Sequence, residues 1–196
     1  MIADRKPILS MFRVMAFACV MLAGMPNELK SPNNQKVTSA MSFNKEQFQD
    51  LIDRVLKAVD LHSEAAVDLL LKTAAHESKF GTYLKQIGGG PALGIFQVEP
   101  DTEKDIWLNY LRFNLDLTEK IKKLTGIDGP NLSALEGDLR YQVIMARLVY
   151  RRVRFTLPDP GDVLEQAKYW KKHYNTMLGA GTVEDFIKAA EKYVGV

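Results

Sequence analysis

Disulfide bonding is the first thing this chain does without. Its single cysteine, Cys19, excludes an intrachain disulfide. No cluster of cysteine and histidine has zinc-ligand spacing, and the three histidines, His62, His76 and His173, are scattered. Charge is nearly balanced: 26 Lys and Arg against 24 Asp and Glu leave a formal +2. That excess is too small to announce a nucleic-acid binder, although mild positive charge suits an anionic polymer such as a cell wall. Long apolar runs are short too. The longest charge-free one, Val14 to Gly24, falls below the roughly 20 residues that span a bilayer. Alternating strand patterns are almost absent, as are internal repeats and low-complexity tracts. The fold class expected is mainly α, with little or no β-sheet.

What is present is ordinary in bulk. The chain has 196 residues, 46% apolar and 26% charged, enough for one domain with a real core and an appended segment. Phe48, Leu51, Ile52, Val55, Leu56 and Val59 recur at the spacing of one buried helix face. Ser63 suits the N-cap of a helix carrying Val67, Leu69, Leu70 and Leu71, with Gly81 as its C′ residue. Pro100 fits a first helical turn, with Asp101 and Glu103 at its positive end. Residues 125–131 read as a loop. A long helix is expected from Ser133 through Tyr141, Ile144, Leu148 and Val149. Another runs through Tyr169 and Trp170, and Thr182 with Asp185 makes a capping box for the last.

Residues 1–40 differ from the rest. Six of the eight methionines fall within the first 41 positions, and a polar, Pro- and Asn-containing linker precedes Met41. The expected division is therefore a segment of 1–40 and a domain of 41–196. The segment has three readings. Basic residues ahead of an apolar stretch suit export or membrane anchoring. A Met-rich apolar surface suits docking on a partner protein. A terminal extension can also be dispensable.

Three stretches carry chemistry. In "AAHESKFG" (74–81) a glutamate, Glu77, falls in the last turn of an apolar helix. The helix dipole disfavours negative charge there, and apolar surroundings add desolvation. Both favour the neutral acid, which is what a general acid needs to protonate a glycosidic oxygen. The plainer reading is a surface glutamate paired with Lys72 or Lys79. "GGGPALGIFQVEP" (88–100) puts Phe96 and the Gln97 amide, a donor and acceptor suited to sugar hydroxyls, into a glycine-rich loop. It is no phosphate loop, since no Gly-Lys-Ser/Thr follows. "YWKKHYNTMLGAGT" (169–182) places aromatic residues, which stack on sugar faces, beside Asn175 and a Gly-x-Gly. Alternatively, Tyr169 and Trp170 are core.

In this order, Glu-Ser in "HESKFG", Gly-x-x-Gln in "GIFQV" and Tyr-Asn in "HYNTMLGAG" resemble the three motifs of the soluble lytic transglycosylases, relatives of goose-type lysozyme. The longer stretch "AAHESKFGTYLKQIGGGPALGIFQVEP" resembles the muramidase-like proteins of tailed phages and prophages. The resemblance runs from about Met41 to near the C-terminus. The third motif departs from it: where the family reads Tyr-Asn-Ala-Gly, this chain reads "YNTMLGAG".

The resemblance implies a lysozyme-like helical domain with a glycine-rich active-site loop. The implied reaction cuts the β-1,4 bond between N-acetylmuramic acid and N-acetylglucosamine in peptidoglycan. One glutamate serves as acid on the leaving oxygen and as base for closure of a 1,6-anhydro ring. By the match Glu77 is that catalytic residue. Gln97 and Tyr174 flank the bond, Ser78 and Asn175 support them, and Gly94 and Phe96 complete the substrate-binding set. The reaction as implied uses no metal and no cofactor. The partners implied are glycan strands, with other virion proteins or a membrane met through residues 1–40. Carriage in a phage particle and delivery to the bacterial periplasm or wall is the favoured location, and export or anchoring the alternative.

Three other readings stay open. A hydrolytic muramidase needs a second carboxylate to handle water, and Asp101, Glu103 and Asp105 follow the glycine loop. A virion structural protein would keep the fold and only grip the wall or phage proteins. Nucleic acid would need the run Arg147 to Phe155, which more often forms a solvated helix face, and none is expected as a partner.

Overall fold

A computed structural model describes residues 43–175 and 179–196 of the chain. The readings of residues 1–40 lie outside the described residues. Among the latter the fold is mainly α, and the only β pairings are isolated bridges of Leu93 with Lys85 and with Val98. No described helix is long and apolar enough to cross a membrane.

Helix α1 (Lys45–Ala58) starts where the Asn44 side chain accepts the Gln47 N–H, and buries Phe48, Ile52, Val55 and Leu56. Helix α2 (Glu64–Ser78) starts at Ser63 as the sequence suggests, with the hydroxyl accepting the Ala66 N–H. It is the central element and packs against α1, α6 (Leu139–Arg151) and α8 (Val183–Tyr193). Leu69, Leu70, Ala74 and Ala75 on it are wholly buried, so α2 is apolar around most of its circumference.

Helix α3 (Pro100–Asn109) has proline at its first turn. A single 3₁₀ turn (Leu111–Phe113) leads to α4 (Leu115–Thr125), a helix with no counterpart among the expected elements; Gly126 ends it in a left-handed conformation, φ 78°. The long helix expected from Ser133 is two. Helix α5 (Leu132–Gly137) stops at Asp138, whose extended backbone breaks the run and whose carboxylate caps Arg140 and Tyr141 at the start of α6. Helix α7 (Val163–Trp170) passes directly into a π-helical turn (Lys171–Asn175), a feature frequent at functional sites. Helix α8 opens with the expected capping box of Thr182 and Asp185.

The end of α2 departs from expectation. The helix stops at Ser78, and Lys79, Phe80 and Gly81 follow with φ of 50°, 59° and 79°. A bulky side chain at positive φ is costly. Burial compensates: Phe80 is 1% exposed and packs edge-on against Phe48 at 5.6 Å. Ser78 holds the turn from inside, its hydroxyl accepting the Gly81 N–H at 2.8 Å.

Candidate active site

The last turn of α2 opens onto a cleft of about 670 Å³. Residues from all three chemistry-bearing stretches line it: His76 and Glu77 from the first, Gln97 from the second, Tyr174 and Asn175 from the third. Gln86 and Ile87 of the loop before the triple glycine close one side, and Gly179 to Gly181 another.

Glu77 is neither a surface residue nor the partner of Lys72 or Lys79. Its side chain is 14% exposed. Trp170 Nε1–H donates to its Oε1 at 2.8 Å, and His76 Nδ1 lies 3.6 Å from the same oxygen. Lys72 is wholly buried and bonded to Asp68 and to Gln166. The carboxyl group thus sits at a wall of the cleft with one oxygen anchored to the aromatic core.

Gln97 lies at the cleft with φ 48°, a strained backbone for a residue with a Cβ. Its Nε2 donates to the Gly94 carbonyl at 2.8 Å, which fixes the side chain over its own loop. Tyr174 ties the third stretch to the second: its hydroxyl donates to the Phe96 carbonyl at 2.8 Å. Burial, with the Glu77 charge adding to it, holds that phenol well above its ordinary pKa. Asn175 lines the cleft and accepts a hydrogen bond from Lys171, whose ammonium also bonds the Gly179 carbonyl.

Three residues expected to bind substrate stand behind the cleft. Ser78 is wholly buried and caps α2. Phe96 is wholly buried, its ring 6.1 Å from that of Phe48, so it offers its carbonyl to Tyr174 and no face to a sugar. Gly94 is buried at φ 75°, and a Cβ there would lie 2.4 Å from the Leu135 carbonyl oxygen. Its smallness serves loop packing. The aromatic pair before the third motif is core as well: Trp170 is wholly buried and Tyr169 is 9% exposed.

Other residues of the cleft carried no signal of their own. Tyr83 lines it, and its phenol is held above the ordinary value by burial first, then by the Glu77 charge and by Tyr193. Glu99 brings a second carboxylate to the cleft. The carboxylates weighed for that part, Asp101, Glu103 and Asp105, do not line it. Glu103 is wholly buried and Asp105 is tied to Arg152 and Asn109. The arginine run is likewise dispersed: Arg147 is buried and donates to the Leu61 carbonyl, and Arg152 is the partner of Asp105. Among the described residues no group of three or more His, Cys, Asp and Glu could hold a metal ion.

Set against known protein families, curated proteins and solved structures, the chain matches none of them.

Proposed function

We propose that the chain is a peptidoglycan lytic transglycosylase with a lysozyme-like helical domain, in which Glu77 is both acid and base. The observation that carries this reading is the convergence in one cleft of Glu77, Gln97 and Tyr174, residues up to 97 positions apart in the sequence. Backbone strain supports it: among the described residues Phe80 and Gln97, two of the four non-glycine residues at positive φ, stand three positions after the glutamate and at the cleft respectively. Such strain clusters at functional sites. In this reading the carboxyl group protonates the oxygen that leaves N-acetylmuramic acid. The resulting carboxylate takes the proton of the muramyl 6-hydroxyl as that oxygen closes on the anomeric carbon. Gln97 and Asn175 hold sugar hydroxyl and acetamido groups. The location that fits is a phage particle delivering the enzyme to the cell wall, with residues 1–40 as the segment that docks or anchors.

Glu99 favours a second reading, hydrolysis, because a second carboxylate at the cleft could activate water. One digestion decides. Purified peptidoglycan treated with the protein yields 1,6-anhydromuramyl fragments by mass spectrometry if the first reading holds. Fragments carrying only reducing, hydrated ends move the protein to the hydrolases. Intact peptidoglycan rejects both and leaves a wall-gripping structural protein.

A further inference from the structure

His76 Nδ1 is a buried polar atom with no hydrogen-bond partner among the described residues. Such atoms are few in folded proteins, and each calls for a cause. Its nearest charged neighbour is Glu77 Oε1 at 3.6 Å. The imidazole is packed against aromatic rings on one side. Its ring centre lies 4.2 Å from that of Trp170 and 6.0 Å from that of Phe186 on α8. Gly181 closes over both rings: a Cβ there would come within 2.8 Å of Trp170 and 3.0 Å of His76. Trp170, which clamps the imidazole, is also the donor to Glu77 Oε1. Among the described residues Glu77 Oε2 has no hydrogen bond, and it is not one of the buried unpaired atoms. The glutamate therefore has one oxygen engaged by α2 and α7 and one free at the cleft.

We infer that His76 is a positioning residue for Glu77: with Trp170 it holds Oε1, so that Oε2 is the oxygen that gives and takes the proton. This rests on the reading of Glu77 as acid and base. In the first step the Oε2–H bond breaks, the proton passes to the glycosidic oxygen, and the bond from that oxygen to the anomeric carbon breaks with its electron pair going to oxygen. In the second, Oε2 takes the proton of the 6-hydroxyl as its oxygen bonds the anomeric carbon. No water is consumed and Glu77 ends protonated. His76 acts between the steps, when Glu77 is an anion, because an imidazole N–H 3.6 Å from Oε1 turns its positive end to the charge. The charged groups facing the imidazole are Glu77 on its own helix and Asp185 on α8, itself beside Lys188. Trp170, Phe186 and Gly181 face it without charge.

The test compares His76→Phe and His76→Asn with the wild-type chain. The phenylalanine ring keeps the stacking and removes the nitrogen. His76→Phe is expected to keep its melting temperature, to lose about tenfold in kcat with KM unchanged, and to show an alkaline limb of the pH–rate profile moved to higher pH. His76→Asn, which retains an N–H donor, recovers part of the rate. A His76→Phe protein with wild-type kcat and an unmoved profile overturns the inference. A second readout needs no turnover: the ¹³C carboxyl resonance of Glu77, assigned with Glu77→Gln, titrates at higher pH in His76→Phe. An unmoved midpoint overturns the pairing. A moved midpoint in a protein that leaves peptidoglycan intact upholds the pairing and rejects the transglycosylase.

Discussion

Glu77 and Glu103 are both glutamates on helices, both linked to a tryptophan N–H, directly or through a tyrosine hydroxyl, and both largely withdrawn from water. Trp170 Nε1 donates to Glu77 directly, at 2.8 Å. Trp107 Nε1 donates to the Tyr141 hydroxyl at 2.7 Å, and that hydroxyl donates to Glu103 Oε1 at 2.5 Å. The Asn131 N–H adds a further bond to the same Glu103 oxygen, at 2.7 Å. Burial, then the bond to Glu103, holds the Tyr141 phenol far above its ordinary range. The difference lies on the other side of each carboxyl group. Glu103 is wholly enclosed, so its bonds can only hold α3 to the segment 131–141. Glu77 keeps a free oxygen at a cleft. A buried carboxylate marks a site only when the structure leaves one of its oxygens something to do.

The largest effect expected from breaking the comparison is on rate. Glu77→Gln keeps an oxygen to accept the Trp170 N–H, so its melting temperature stays near wild type. Release of fragments from peptidoglycan falls by about 10² to 10⁴. Full activity in the folded variant removes Glu77 from the chemistry. Next comes Glu103→Ala, which strands the Tyr141 hydroxyl and releases the Asn131 N–H. Asn131 is exposed and its N–H can turn to water, so the cost is that of the buried Tyr141 hydroxyl, a loss of about 1–3 kcal/mol in denaturant melts. Activity per folded molecule should be retained, because Glu103 does not line the cleft.

Asp68 sharpens the contrast from the same helix as Glu77. Burial pushes its carboxyl up, but hydrogen bonds from Lys72, Gln166 and the Gly161 N–H outweigh burial and leave the pKa below the ordinary 3.8. A depressed folded-state pKa contributes stability above the unfolded-state value, and that stability disappears as pH falls through the folded-state value. Thermal melts should therefore be flat in this contribution from neutral pH to just above 4 and decline below that. Asp68→Asn should be less stable at neutral pH and show a shallower acid decline. An acid limb unchanged in the variant assigns the decline to other carboxylates.

The smallest effect is a titration. The negative charge of Glu77 helps hold the Tyr83 phenol above its ordinary value. Glu77→Gln should lower the Tyr83 midpoint in ultraviolet difference spectra, read against Tyr83→Phe. Glu103→Gln should leave it where it is. Equal shifts in both variants would mean that Glu77 and Tyr83 do not share the cleft.

Much of the helical frame is legible in local chemistry. Ser63, Pro100 and the Thr182–Asp185 pair start helices because a hydroxyl, a ring or a carboxylate satisfies first-turn demands within three residues. The 3.6-residue recurrence from Phe48 to Val59 marks α1 for the same local reason. Where a single side chain competed with the pattern, the sequence misled. Asp138 caps α6 and so splits an apolar run that reads as one helix. Ser78 turns inward and ends α2 three residues before Gly81.

The site divides along the same line. Sequence alone determined that the chain is mainly helical, that a glutamate ends an apolar helix, and that a glutamine and a Tyr-Asn pair suited to a sugar follow it. Residue type and short-range spacing gave the order of these residues, but not that Tyr174 and Asn175 stand in a π-helical turn and not in a loop. Only the tertiary structure decided which of them meet. Gln97, Tyr174 and Asn175 reach the cleft of Glu77, whereas Ser78, Gly94 and Phe96 are consumed in holding the loops that form it. It also brought His76, Tyr83 and Glu99 to the cleft and put Trp170 behind Glu77. The reason is physical: burial, the far end of a hydrogen bond and the face of a ring depend on residues distant in the chain, and no local pattern encodes them.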